Sequence, residues 1–135
     1  MQAFKKIVVG LVMCLSMEQV MAVESTTYTE DKPVVRVEAK SPQFSIRLKS
    51  NPTTGYSWYL RSYDSNVMQP VKQVYEPPVN KKLIGAPGYE VWTFRVKPAG
   101  FVVPMQTVIR FVYARAWEVN GQAKQVVFQV TTSRE

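Results

Sequence analysis

The residues able to do chemistry in this 135-residue chain are few: there is no histidine and a single cysteine. Ser-His-Asp and Cys-His nucleophilic machinery is therefore excluded, as are the usual histidine-based zinc sites. An enzyme would have to work with Asp64, Glu76, Glu90 and Glu118, or with hydroxyls and lysines. Paired carboxylates serve glycoside hydrolysis, but these four are scattered singly without a supporting motif and are expected to be surface charges. Asp64-Ser65-Asn66 is too short and too weakly charged for a calcium loop and reads as a turn. Asn51-Pro52-Thr53 is no glycosylation acceptor, because proline holds the middle position. The reading is a chain that is not an enzyme and uses no metal and no cofactor.

What is left is suited to contact. Two clusters of turn-forming residues stand out, Asn51 to Tyr56 and Gly85 to Gly88, together with Arg115-Ala116-Trp117 at the end of an apolar run. Trp58 and Trp92 lie within alternating runs and are expected in the core. Trp117 follows Arg115 at a strand end, just before the tight-turn pair Asn120-Gly121, where tryptophan and arginine are better placed for a partner than for a core.

The elements that must position these residues are strands. After Pro33 the pattern has period two: Val35, Val37 and Ala39; Phe44, Ile46 and Leu48; Tyr56, Trp58 and Leu60; Trp92, Phe94 and Val96; Val126, Phe128 and Val130. From Val102 to Tyr113 both faces are apolar, as in a central strand. Turn signals separate the runs at Ser41-Pro42, Asn51 to Gly55, Asp64 to Asn66, Pro77-Pro78, Gly85 to Gly88, Pro98 to Gly100 and Asn120-Gly121. Seven or eight short strands so spaced describe an all-β antiparallel sandwich or barrel. Pro70 and Pro104 fall inside apparent strands and mark edges or bulges. Residues 33–132 form the domain, and Val23 to Lys32, polar and patternless, is expected to be a flexible leader.

Strand parity places the loops. One strand leaves the Asn51–Gly55 loop and another returns, so the Pro77–Gly88 loop lies at the same end; a second such pair brings Arg115 to Gly121 there too. Three loops converging on one end of a rigid scaffold is an arrangement used by binding modules.

These residues also resemble a known family. Asn51-Pro52-Thr53-Thr54-Gly55-Tyr56, followed by Trp58, is similar to the signature loop of chagasin-type inhibitors of papain-like cysteine peptidases. Gly85-Ala86-Pro87-Gly88 resembles that family's glycine-rich second loop, and Arg115-Ala116-Trp117 its third, usually Arg-Pro-Trp. The resemblance covers roughly Pro33 to Thr132. It implies an immunoglobulin-like β-sandwich whose three loops enter the peptidase cleft as a wedge, with Thr53 and Thr54 beside the catalytic cysteine, Gly85 to Gly88 across the cleft and Trp117 against the far wall. Two departures carry expectations of their own. Pro87, where the family often has glycine, stiffens the second loop and removes an N–H. Ala116, in place of proline, implies a less pre-organised Arg115 and Trp117. Gly88, closing the second loop, is expected to accept a charged side chain with little harm to the fold while blocking insertion into the cleft.

The implied partner is a papain-like cysteine peptidase, met by a monomer. The competing reading is an envelope or secreted sandwich module that uses the same loops on a partner that is not a peptidase. The net charge is +7, but the basic residues are scattered without the stripe or motif of a nucleic-acid binder, so no nucleic acid is expected. A basic surface would still steer the chain toward an acidic partner.

The first 22 residues read as an export signal: Lys5 and Lys6 form a basic region, Ile7 to Leu15 an apolar one, and Val20-Met21-Ala22 a small-x-small cleavage site. The apolar run is about half the roughly 20 residues needed to span a bilayer, so no membrane association is expected after cleavage, and the product would be periplasmic or secreted. Cys14 would leave with the signal, which makes the mature domain independent of disulfides. The exported protein is expected to begin at Val23, and intact mass checks this: a mass that retains Cys14, with or without lipid, would overturn the assignment.

Overall fold

In the computed structural model, which describes residues 25–80, 82, 85–118 and 123–135, the period-two runs are strands. They are β1 (Thr26–Thr29), β2 (Val34–Glu38), β3 (Gln43–Ser50), β4 (Tyr56–Ser62), β5 (Met68–Glu76), β6 (Gly88–Val96), β7 (Gln106–Arg115) and β8 (Lys124–Ser133). Two four-stranded sheets result, in the orders β1-β3-β6-β5 and β2-β8-β7-β4. The all-β sandwich of the sequence reading is therefore the fold. The expected export signal, Cys14 and the expected turn at Asn120-Gly121 lie outside the described residues.

Alternation explains the core. Phe44, Ile46 and Leu48 of β3 and Phe94 and Val96 of β6 turn to one face. They meet Val35, Val37, Ile109, Phe111, Phe128 and Val130 of the other sheet, all buried. Four phenylalanines form its spine: Phe44 stacks on Phe94 at 5.6 Å, Phe94 meets Phe111 edge-on at 6.2 Å, and Phe111 meets Phe128 edge-on at 6.0 Å. Such pairs add about 0.5–1.5 kcal/mol each beyond the area they bury. Trp58 is 2% exposed, as expected of a core residue, and Trp92 packs edge-on against Phe111 at 5.4 Å.

The structure corrects the reading at three places. From Ser25 onward the expected leader is part of the sandwich: β1 pairs in parallel with β3, Thr26 opposite Phe44 through Thr29 opposite Arg47. Tyr28 anchors it, its ring edge-on to Phe44 at 6.4 Å and its hydroxyl donating to the Arg36 carbonyl at 3.1 Å. Threonine and tyrosine suit a pleated surface, yet a single large apolar side chain gave no visible alternation. Second, β2 also joins its neighbour β8 in parallel, whereas the β3–β6, β5–β6, β4–β7 and β7–β8 ladders are antiparallel. Third, the strand expected from Val102 starts at Gln106; Pro98–Phe101 is a 3-10 turn, and Val102 and Val103 are exposed. Pro104 has no N–H for a ladder, so pairing begins beyond it. Pro70 fulfils its reading: β5 is an edge strand, and its register shifts between Pro70 and Lys72.

Gly88 is also placed differently from its expected role. It is the first residue of β6, buried, opposite Ser50, and its φ is not positive. A Cβ there would overlap the Tyr75 hydroxyl and the Glu76 carbonyl and lie 2.6 Å from Tyr75 Cζ. Gly88 therefore serves β5–β6 packing, and a charged substitution cannot spare the fold. Gly88→Ala is expected to cost about 1–3 kcal/mol, the range for overfilling a packed site, measurable by denaturant unfolding. Stability equal to the parent would mean that β5 yields without cost.

Candidate functional site

Antiparallel pairing decides where the loops emerge. Ser50 lies opposite Gly88, Glu76 opposite Tyr89, Tyr56 opposite Arg115, and Tyr113 opposite Lys124. Each pair ends its ladder, so loop one (between β3 and β4), loop two (between β5 and β6) and loop three (between β7 and β8) leave the sandwich at the same end.

Loop one is a self-bonded turn. Pro52–Thr54 forms a 3-10 turn with proline at its start, where its fixed φ suits the turn and no donor is wasted. The Thr54 and Gly55 N–H groups donate to the Asn51 and Pro52 carbonyls at 3.2 and 3.0 Å. The Thr53 hydroxyl donates to Asn51 Oδ1 at 2.6 Å and the Thr54 hydroxyl to the Asn51 carbonyl at 2.7 Å. Gly55 closes the turn at φ +81°, a left-handed conformation that favours glycine. Pro52, Thr53 and Thr54 remain exposed, with Asn51 and Tyr56 half-buried at their base.

Loop three leans on loop one. Arg115 Nε donates to the Thr54 carbonyl at 3.1 Å, and Arg115 Nη1 to Glu118 Oε1 at 3.1 Å. The guanidinium lies 4.5 Å from the centre of the Tyr56 ring and 5.9 Å from that of Trp117. The Glu118 N–H donates to the Arg115 carbonyl at 3.1 Å, closing a turn with Ala116 and Trp117 as its central residues. The Trp117 indole is 70% exposed, yet its edge covers Gly55, where an added Cβ would sit 2.8 Å from Cη2. The looseness expected of Arg115 and Trp117 from Ala116 is thus offset by bonds on either side.

Loop two is touched from loop one, Asn51 Nδ2 donating to the Gly85 carbonyl at 3.4 Å. Gly85 has φ +79° with open space around it, Pro87 is exposed and Ala86 half-buried. The structure thus brings the predicted residues to one end, with Gly88 turned inward.

Beneath the loops lies a platform that the sequence reading missed. The Asn51 N–H donates to Tyr113 Oη at 3.1 Å, the Tyr113 ring lies 5.3 Å from Tyr56 and 4.9 Å from Trp58, and Trp58 Nε1 donates to the Lys49 carbonyl at 2.8 Å. Glu90, expected at the surface, is 5% exposed, and its carboxyl accepts from the Trp58 N–H at 3.0 Å, the Ser57 hydroxyl at 3.3 Å and Gln73 Nε2 at 3.3 Å. Its signal was parity: Glu90 shares the inward row of Trp92, Phe94 and Val96. Glu118 is likewise part of the site, while Asp64 keeps the turn assigned to it, its side chain accepting from the Asn66 N–H at 3.0 Å.

The result is a projecting ridge, where small-molecule sites are concave. A depression of about 780 Å³ lies elsewhere, beside β2 and β8, and shares no residue with the loops. Among the described residues no group of three or more Cys, Asp or Glu is gathered to hold a metal.

Comparison with known proteins gives consistent results. Residues 38–132 match the family described as Chagasin family peptidase inhibitor I42. Chagasin of Trypanosoma cruzi is 37% identical over 76 residues, 53% of this chain and 64% of chagasin, so the match spans a little under two thirds of that protein. Among solved structures, the cysteine protease inhibitor EhICP2 of Entamoeba histolytica superposes with a TM-score of 0.64 at 18% identity, covering 79% of this chain and 94% of its own. PbICP-C, solved in complex with falcipain-2, superposes with a TM-score of 0.53 at 17% identity, covering 81% and 89%.

The two left-handed glycines should respond differently to a methyl group. Both alanine variants carry the roughly 1–2 kcal/mol cost of that conformation, but only Gly55→Ala also collides with Trp117. Gly55→Ala is expected to melt below Gly85→Ala, and Trp117→Ala to bring the pair level. Equal melts with Trp117 present would show that the indole does not rest on loop one.

Proposed function

We infer that this chain, which belongs to the chagasin family of peptidase inhibitors, reversibly inhibits papain-like cysteine peptidases by seating its three loops in the active-site cleft. One observation carries the reading: the Arg115–Thr54 hydrogen bond joins loops at the same end into a single ridge. The complex of PbICP-C with falcipain-2 supports it as a precedent for that protein. The residues that would meet the peptidase are Pro52, Thr53, Thr54 and Gly55, Gly85, Ala86 and Pro87, and Arg115, Ala116 and Trp117. Asn51, Tyr56 and Gly88 hold them from below.

The geometry explains how a peptide loop blocks a peptidase without becoming its substrate. Proteolysis needs backbone that can be drawn out into the cleft, whereas loop one is closed on itself by the bonds of Thr54 and Gly55 to Asn51 and Pro52. Drawing it out would break those bonds and release Arg115 from Thr54. Gly85 and Ala86 lack the bulk that would keep their backbone off a narrow cleft wall, and the exposed indole of Trp117 supplies a large apolar contact of the kind that dominates interfaces.

Export follows as part of the proposal, with residues 1–22 as a signal and the inhibitor acting in the periplasm or outside the cell. The basic surface would quicken encounter with an acidic enzyme there.

Titrating the protein against papain is expected to give one-to-one loss of activity. Trp117→Ala should weaken inhibition about thirtyfold, from the roughly 2 kcal/mol of an interface hot spot, through faster dissociation and with an unchanged melt. A folded parent that leaves papain fully active at high molar excess would overturn the reading.

A further inference from the structure

We propose that Glu118 is a positioning residue that pre-organises the inhibitory ridge by clamping Arg115 between loops one and three; this rests on the inhibitor reading above. Ala116, the first central residue of the turn from Arg115 to Glu118, is exposed and imposes little on the backbone. Proline is the favoured residue at that position because it fixes φ, so with alanine the turn needs another restraint. Glu118 provides it twice. Its N–H closes the turn onto the Arg115 carbonyl, and its carboxyl returns to the Arg115 guanidinium at 3.1 Å while the Tyr56 hydroxyl donates to its second oxygen at 3.5 Å.

The guanidinium is thereby held at two points. Nε is fixed on the Thr54 carbonyl of loop one and Nη1 on Glu118 of loop three, with the Tyr56 ring beside it. Without the carboxylate, one hydrogen bond would remain as a hinge, and Trp117, next in the chain, would lose its station over Gly55. The arginine and glutamate side chains are 34% and 33% exposed, so the pair is partly screened and its hold modest. Its consequence is on the fraction of molecules whose ridge is ready to bind, which divides directly into the apparent affinity.

A clamp and a direct contact leave different kinetic traces. Glu118→Ala, Glu118→Gln, Ala116→Pro and the double variant Ala116→Pro with Glu118→Ala are compared by association and dissociation rates on papain. Backbone ¹⁵N relaxation of residues 115–118 is measured in the free proteins. Glu118→Ala is expected to slow association about fivefold, the upper range for a partly exposed pair, with dissociation unchanged. Glu118→Gln should fall between, keeping an oxygen to accept from Arg115. Ala116→Pro should restore association and backbone order in the Glu118→Ala background, read against Ala116→Pro alone as the reference.

Faster dissociation without rescue by proline would place Glu118 in contact with the peptidase and overturn the clamp, as would unchanged rates and relaxation. If the parent itself fails to inhibit papain, the function reading falls alone. The clamp then stands when Glu118→Ala loosens residues 115–118 and proline restores them, and is overturned when their relaxation does not change.

Discussion

The carboxyl group of Glu90 is where the two sheets are held in register at the loop end. Sheets in a sandwich meet through side chains, with no backbone ladder between them, and apolar packing has no strong direction. Glu90 belongs to β6, the strand that follows loop two, yet it accepts from the Trp58 N–H of β4, the strand that follows loop one, and from Gln73 of β5. Because β4 is an edge strand, that N–H has no neighbouring strand on its free side, and Glu90 supplies the acceptor. Losing the acceptor would leave buried donors unsatisfied, at about 1–3 kcal/mol each. The relative height of loops one and two therefore depends on directional contacts at this end, the Glu90 carboxyl to the Trp58 N–H and the Trp58 indole to the Lys49 carbonyl, set beside the apolar core.

Above that level the forces change in kind. The phenylalanine spine fixes the sandwich by burial, while the ridge is fixed by bonds that are individually weak and partly wet: Arg115 to Thr54 and Glu118, Asn51 to Gly85 and Tyr113. They suffice because they act on a short span. Loop one is closed within itself and seated on Trp58 and Tyr113, so loop three needs only to be tied to it at Arg115 and covered by Trp117. A rigid base lets modest contacts define a ridge.

Much of this was legible in the residues. Period two located five strands and their inward rows, β2, β3, β4, β6 and β8, and parity alone put the three loops at one end. The failures share a cause: the alternation was read for apolar residues only. Gly88 and Glu90 have the same parity as Trp92, Phe94 and Val96 and so must face inward, which ends loop two one residue earlier and makes Glu90 a buried hinge. β1 escaped because Tyr28 is the one large apolar side chain in Thr26–Thr29, and parallel pairing to β3 leaves no hairpin turn in the sequence. The partnership of Glu118 with Arg115 arises in a turn, where no alternation exists to be read.

Charge is arranged with the same economy. Glu38, Glu76 and Glu30 pair with Lys40, Arg47 and Lys124 away from the tips, and the ridge itself is built from Pro52, Thr53, Thr54, Gly85, Ala86, Pro87, Ala116 and Trp117, none of them charged. Arg115, which ties these residues together from the end of β7, is charged and is matched by Glu118. Carrying an unmatched charge into a closed cleft costs several kcal/mol, a penalty that a neutral ridge would avoid in the complex proposed above. Lys49 and Lys82 are exposed and form no ion pair among the described residues, and in the proposed complex such charges would alter the rate of encounter more than the strength of binding. In that complex, shape at the ridge and charge beside it would act on different steps of binding, and each could vary without disturbing the other.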